Sequence, residues 1–455
     1  MSLYESGKKL PSKLSALLEH ALKSLDIGKI MEQRIDYNGR EIIIRDTRGK
    51  VVGKHELGRG KIKLIAFGKA SQSMALTMLK ILEGRFDEGA VIFPRDQPVV
   101  LEAKGNISVI PSTHPVPSES SLEAARRVRE MLSGLSEEDN VIFLISGGGS
   151  SLLEEPIPPV SLDELVKTYK LLLNSGADIR EINTVRKHIS QVKGGRLAQQ
   201  AYPAQVISLI ASDVPGNDIS FVASGPTVPD HTTYQDAYNI LEFYELLGEV
   251  PESVLSTIKS GMLGKIPETP KEDSPIFSKV RNYLIASPYD LALSVKEKAE
   301  ALGLNAYLLT TRVEGESSEV AKVFSSIALD VKSGLSSLSK PTAIIVAGET
   351  SVKVRGSGKG GRAIELAAWF AREISGTEGI SMFAIDTDGK DGSSDAAGAF
   401  ATGETWEELK KLFGRRIIDM LRNNDSFSLL DSGGYTIRTG PTGSNLNNLI
   451  CILVE

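Results

Sequence analysis

An α/β protein of two lobes is the fold class this sequence predicts, and three observations predict it. Short runs that are apolar throughout, KIKLIAF, NVIFLI and AQVISLIA, each end in a turn rich in Gly, Ser or Asp and lead into helical periodicity. Such runs suit strands buried on both faces, so a largely parallel sheet covered by helices is expected. The pattern breaks at 262–280, a stretch rich in proline and charge that reads as a linker, and then restarts. The unusual polar clusters fall at strand ends, where open α/β sheets bind ligands.

The elements follow in order. Leu14, Leu17, Leu18, Ala21, Leu22 and Leu25 recur at helical spacing over 11–26. EIII and VV flank Thr47-Arg48-Gly49 over 41–52 and read as a hairpin. The three apolar runs named above follow. After the linker, RNYLIAS reads as a strand, 289–302 as a helix, NAYLLT as a strand and 317–333 as a helix. PTAIIVAG is a strand, about 362–374 a helix, ISMFAID a strand and NLICILVE a closing strand.

Composition bounds the function. Hydrophobic residues at 41% and charged residues at 24% give an ordinary globular balance with material for a core. The length of 455 residues suggests two or three domains. With 52 Lys+Arg against 58 Asp+Glu, the net charge of −6 argues against a nucleic-acid partner that needs a basic face. Cys451 is the single cysteine, which excludes an intrachain disulfide and a cysteine zinc site and suits a reducing compartment. No run approaches the roughly 20 apolar residues of a membrane span, and the amino-terminal stretch lacks the apolar core of a signal peptide. A cytoplasmic protein with no membrane partner is expected.

Several clusters carry chemistry. Ser146-Gly147-Gly148-Gly149-Ser150-Ser151 joins a buried strand to a helical run; its glycines let backbone N–H groups approach an anion, or simply allow a tight turn. Lys69, just after KIKLIAF, either neutralises a carboxylate or phosphate or is solvated. Gly356-Ser357-Gly358-Lys359-Gly360-Gly361-Arg362 matches G-x-G-x-x-G, formally a dinucleotide fingerprint, yet Lys359 and Arg362 add full charges that suit a triphosphate. A lid hinge is the plainer alternative. Asp386, Asp388 and Asp391 lie in one Asp/Gly-rich turn that suits a hard cation or Asx capping. Glu349 follows PTAIIVAG and suits Mg²⁺ or a sugar hydroxyl, or simply belongs to a capped turn. Asp213 follows AQVISLIA and suits a general base, a cap, or an ion pair with Arg186 or Lys187. No histidine pair has metal spacing, and His188 is expected to pack or to orient a neighbour.

Taken together, the ordered motifs GKAS, STHPVP, LISGGGSSL, NTVRKHIS, KGGRLA, SDVPGND, ASGPTVPD, AGETSVKVRGSGKGGR, AIDTDGKDGSSDAAGA, NNDSFSLLDSGG and TGPTGSNLNNL resemble the class II glycerate kinases. The resemblance spans about residues 11–454. It implies a Rossmann-like α/β/α domain over 1–270 and a MOFRL-type domain with a mixed sheet over 271–455. It implies ATP- and Mg²⁺-dependent phosphorylation of D-glycerate in a cleft between lobes, with 2-phosphoglycerate as the product. By motif match, Lys69 and Arg362 bind the reacting anions, Asp213 is the base or key polar group, and Glu349 supports substrate or metal. Ser146, Gly147, Gly148, Gly149, Ser150, Lys359, Asp386 and Asp388 are expected to handle the nucleotide, and Asp386, Asp388 or Asp391 are the candidate metal ligands. Where the family commonly has G-x-G-G-R-N-Q-E, this chain has Ala363 and Ile364 after Arg362. Phosphorylation of the 3-hydroxyl, an NAD(P)H-dependent hydroxypyruvate reductase and a non-catalytic small-molecule binder stand as alternatives. A homodimer is left open.

Overall fold

The runs of β-branched and aliphatic residues form the centres of two six-stranded sheets, because strands covered by helices on both faces need no polar side. The computed structural model describes residues 3–102 and 105–455. The chain divides into two compact units. One holds 27–212 and 218–285; the other holds 1–26, 213–217 and 286–455.

In the unit that holds 27–212, the sheet runs Ile107–Ser112, Glu88–Pro94, Ile62–Phe67, Asn140–Ser146, Gln205–Ala211 and Val280–Ala286. The first five strands pair in parallel. Numbered along the chain, the six strands lie in the order 3-2-1-4-5-6, the doubly wound arrangement. Its order reverses between Ile62–Phe67 and Asn140–Ser146, and both strands are buried along their whole length. The hairpin expected at 41–52 forms, as part of a three-stranded antiparallel sheet of Ile35–Tyr37, Glu41–Arg45 and Val51–Glu56. Asp46 sets its turn by accepting from the backbone N–H groups of Arg48 and Lys50.

Four helices, Leu162–Ser175, Ile179–His188, Tyr234–Phe243 and Glu252–Met262, build a second core in this unit around Leu165, Leu172, Val185, Tyr234 and Ile258. Three of them start at capping boxes: Ser161 with Glu164, Asp178 with Glu181, and Thr233 with Asp236.

The segment 262–280 is not a linker. Glu268 accepts from the backbone N–H of Tyr234, Thr269 donates to Asp230, and the Pro270 carbonyl receives the Asp230 N–H. Its proline and charge mark a chain that lies along a surface with its polar groups engaged. The strand after it, Val280–Ala286, closes the first sheet, so the expected division at 270/271 lies short of that sheet's last strand.

The other unit has a mixed sheet in the order Asn305–Val313, Thr342–Gly348, Asn448–Val454, Ile380–Asp386, Gly398–Thr402 and Thr436–Ile437. Only the first pair is parallel. The closing strand Asn448–Val454 is central and fully buried. Helices Ser317–Ser333 and Arg362–Glu373 pack against one another, and Ser12–Lys23 packs on Pro288–Ala301. Among the described residues no helix is long and apolar enough to cross a membrane.

Candidate active-site clusters

The reversal point of the first sheet gathers the first group of expected residues. Gly68 ends Ile62–Phe67 at φ +123°, and a Cβ there would fall 2.1 Å from the Ser146 hydroxyl, so only glycine lets the two strand ends meet. The Ala70 N–H donates to Ser146 Oγ at 3.0 Å and the Lys69 N–H to the Gly147 carbonyl at 2.8 Å. Gly148 turns at φ +79°, with Lys69 Cγ and the His114 ring against it. Burial, then the Lys69 ammonium, pulls His114 down to about 4 against the partial opposition of Asp96, so its imidazole is neutral at pH 7. The short helix Gly149–Leu152 follows, and its first N–H groups have no intrahelical acceptor.

Two further segments hold this loop; sequence reasoning listed both only among the motifs of the resemblance and gave them no role. Lys193 is buried and donates to the carbonyls of Ser150 and Leu153 at 2.7 and 3.2 Å. It pairs with buried Glu154 at 3.0 Å. Glu154 also accepts from Tyr169 and Ser190. Burial pulls the Lys193 ammonium below its usual range, against the pull of Glu154. Beside it, Ala223, Ser224 and Gly225 take φ of 50°, 62° and 62° in succession. Two non-glycine residues in the left-handed region cost roughly 1–2 kcal/mol each. The turn is fixed by the N–H groups of Gly194 and Gly195, which donate to the Ser224 and Gly225 carbonyls at 3.0 and 2.8 Å. The motifs KGGR and ASGP, 30 residues apart in sequence, are thus two halves of one clamp. Their signal was the doubled glycine beside a lone lysine.

His188 packs edge-on against Tyr234 and bonds Thr184 O and Glu268. Lys187 pairs with Asp230 at 3.3 Å. That network braces the helical layer. A polar hollow of about 490 Å³, lined by Lys61, Lys63, Glu88 and Arg127, sits at the amino ends of Ile62–Phe67, Glu88–Pro94 and Ile107–Ser112, and Glu88 pairs there with both Lys63 and Arg127.

In the other unit Arg362 opens helix Arg362–Glu373, and its guanidinium joins Glu349 and Asp386, the latter at 2.9 Å. Burial works against the charged guanidinium, but the two carboxylates outweigh it and hold Arg362 above the ordinary arginine range. Asp386 is buried. Burial and then Asp388 raise it, against Arg362, and Asn448 donates to it at 3.3 Å. The Asp213 carbonyl accepts from the Asn447 side chain, one residue from Asn448, which brings the Asp213–Asn217 segment to the same end of this sheet. Asp213 therefore lies with Glu349, Arg362, Asp386 and Asp388 in one compact unit, while Lys69 and the Ser146–Ser151 loop lie in the other.

The glycine-rich stretch is used differently from a dinucleotide loop. It follows strand Thr342–Gly348 only after an irregular segment, and its backbone donors are spent inside the protein. The N–H groups of Arg355 and Gly356 go to Asn424 Oδ1, that of Ser357 to Asn423 Oδ1, that of Gly358 to the Asn423 carbonyl and that of Lys359 to Asp425 Oδ1. A Cβ at Gly356 or Gly358 would fall 2.2 or 2.5 Å from this Asn-Asn-Asp turn. The glycines serve close packing. NNDSF, one of the resemblance motifs, is the clamp, and Lys359 is left exposed on it.

Asp391 does a helix-capping task. Its Oδ2 accepts from the Ile364 N–H at 2.7 Å, and it also bonds the Ala363 N–H. A Cβ on Gly361 would fall 2.3 Å from its Cγ. Oδ1 is buried with no partner, and burial pushes the carboxyl up to about 7. The expected metal trio is therefore not assembled: Arg362 holds Asp386, and Asp391 caps the helix that carries Arg362. Among the described residues no group of three or more His, Cys, Asp or Glu is placed to hold a metal ion. Asp386 and Asp388 still supply hard oxygen donors within one turn, and Mg²⁺ held together with substrate phosphates needs only one or two carboxylates.

Asp391→Ala is expected to lower stability by about 1–2 kcal/mol, and Asp391→Asn by much less, since asparagine caps equally well. Urea unfolding checks both. The pH dependence has a definite sign. A carboxyl raised in the folded state binds its proton there more tightly than in the unfolded chain. Its contribution is complete below about pH 4 and is lost as pH rises through about 7. Asp391→Asn should flatten stability over that window.

Comparison with known proteins gives the family. Residues 13–259 match the model described as a domain of unknown function, DUF4147, and 342–448 match the MOFRL family. The chain is 39% identical to a D-glycerate 2-kinase of Thermotoga maritima over 95% of its length and 99% of that protein. It is 38% identical to a glycerate 2-kinase of Pyrococcus horikoshii, covering 96% of each. The crystal structure of a glycerate kinase from Thermotoga maritima superposes with a TM-score of 0.83 at 37% identity, over 97% of this chain and 99% of that one. Two domains in this order, with these motifs and relatives along nearly the full length, mean that the chain belongs to the class II glycerate kinase family.

Proposed function

We propose that this chain transfers the γ-phosphoryl group of ATP to D-glycerate, at the 2-hydroxyl, giving 2-phosphoglycerate and ADP. The observation that carries the reading is Arg362, fixed at a helix start between Glu349 and Asp386. A cation locked in place by two carboxylates costs no reorganisation when negative charge develops on a transferring phosphoryl group.

The remaining roles follow the chemistry of the side chains. The substrate hydroxyl oxygen attacks phosphorus as the bond to the leaving ADP oxygen breaks, and the Asp213 carboxylate accepts the hydroxyl proton. Lys69 neutralises an anionic group of the bound acid. Ser146, Gly147, Gly148 and Gly149 form an anion-accepting turn beside it, and exposed Lys359 meets nucleotide phosphates. Asp386 and Asp388, with Glu349 nearby through Arg362, are the residues that would hold Mg²⁺. When bound, that ion supplies charge neutralisation on the phosphates. A reductase reading loses its support here, because the N–H groups that a pyrophosphate would need from the glycine-rich stretch already bond Asn423, Asn424 and Asp425.

Incubation with ATP, Mg²⁺ and D-glycerate, followed by ³¹P NMR, tests the reading. A 2-phosphoglycerate resonance is expected. A 3-phosphoglycerate resonance would move the transfer to the other hydroxyl, and no phosphorylated acid would overturn the proposal.

A further inference from the structure

The left-handed turn at Ala223–Gly225 has a chemical result beyond its backbone. Ser224 is buried, and its hydroxyl donates to Asn183 Oδ1 at 2.7 Å. A serine hydroxyl has one hydrogen, and this one is spent. Ser224 Oγ lies 2.9 Å from Ser150 Oγ. In that contact Ser224 can only accept, so Ser150 donates. The relay therefore runs one way, Ser150 to Ser224 to Asn183. Ser150 is only partly buried, and its remaining bonding capacity is lone pairs alone. A phosphate or carboxylate oxygen is itself an acceptor and finds no hydrogen at this hydroxyl. A hydroxyl group of a ligand does find a partner there.

The surroundings say which kind of ligand. Lys69 runs past Gly148, two residues from Ser150, and Ala223 packs at Gly149. A cation and an acceptor-only hydroxyl at two neighbouring strand ends match the two ends of a hydroxy acid: carboxylate to the ammonium, hydroxyl to Ser150. The chain holds a strained turn in place with the donors of Gly194 and Gly195, and that turn is what sets the hydrogen-bond direction at the loop.

We infer that Ser150 accepts a hydrogen bond from a hydroxyl of the bound three-carbon acid, with Ser224 and Asn183 as positioning residues that fix its polarity. This rests on the glycerate reading above, and it assigns the Ser150 hydroxyl to the acid rather than to nucleotide phosphates.

The test is calorimetric binding of D-glycerate, D-lactate and 3-hydroxypropionate, which differ by one hydroxyl, alongside KM for D-glycerate and for ATP. Ser150→Ala and Ser224→Gly are the variants; glycine suits the left-handed conformation, so Ser224→Gly removes the hydroxyl without straining the turn. Both should weaken D-glycerate about tenfold, the scale of one hydrogen bond, and leave ATP unchanged. Ser150→Thr, which keeps a hydroxyl, should restore binding. In the wild type one of the two deoxy acids should bind more weakly than D-glycerate, and in Ser150→Ala that difference should vanish. A difference that persists in Ser150→Ala, or a rise in KM for ATP instead, overturns the inference. If the wild type binds the acids but phosphorylates none, the kinase reading fails and the Ser150 comparison still stands. If it binds none of them, both fall.

Discussion

Replacing Arg362 with alanine is expected to lower kcat about 10³-fold, the scale of losing a fixed cation in phosphoryl transfer. The same change leaves buried Asp386 beside Glu349 and Asp388 without its counter-charge. Breaking a buried pair by removing one partner typically costs about 3–5 kcal/mol, so this variant should also melt earlier. Arg362→Lys separates the two effects. It restores a positive charge and most of the stability, yet an ammonium cannot reach two carboxylates with a planar fork, so turnover stays low. Initial rates and thermal melts of both variants, side by side, check the expectation. Near-normal turnover in Arg362→Ala would remove Arg362 from the chemistry, whatever its melting point.

The second large effect is expected at Lys193, which the mechanism does not use. Lys193→Met removes the cation facing Glu154, a carboxylate with no solvent exposure. It also strips two carbonyls, those of Ser150 and Leu153, of their donor. A loss of about 3–5 kcal/mol of unfolding free energy follows from the uncompensated charge. The double variant Lys193→Met with Glu154→Leu should recover much of it, because a charge-free core needs no pairing. Denaturant titration of the wild type, both single variants and the double variant gives the coupling directly. Additive losses would mean that the pair does not act as a unit. Recovery of stability without recovery of activity would show that Lys193 also shapes the Ser150 turn.

Much of the fold was legible, for physical reasons that differ along the chain. Ile62–Phe67, Asn140–Ser146 and Ile380–Asp386 are buried on both faces, so their apolar runs carry no ambiguity. The helical layer over 162–262 was not singled out, although Ser161, Asp178 and Thr233 announce helix starts through their capping partners. The segment 262–280 misled because proline and charge look alike in a linker and in a surface-bound strap. At the strand ends the Gly-rich and Asp-rich loops were legible, because glycine at a strand end is a strong signal, whereas the segments at 193–196 and 223–226 were given no role. Sequence did not divide the tasks of these loops. Asp386 and Asp391 are five residues apart and equally acidic, yet one faces Arg362 and the other a helix start. Only the fold decides which donors each carboxyl meets. Asn423, Asn424 and Asp425 were visible within a motif, but nothing local says that they bind a loop some 65 residues earlier.

Helix Ser12–Lys23 belongs to the unit whose remaining parts are 213–217 and 286–455, and it packs on Pro288–Ala301 and Ile380–Asp386. Its apolar face of Leu14, Leu17, Leu18 and Ala21 is made early on the ribosome, while the surface that covers it is made only after the whole doubly wound sheet. The parallel sheet can fold first as an almost continuous segment, with this helix waiting uncovered. Such long-range closure slows folding and leaves apolar surface open to chance association. Expression at lower temperature, or with a holdase that covers short amphipathic helices, should therefore raise the yield of native protein more than any change to the surface of the finished molecule.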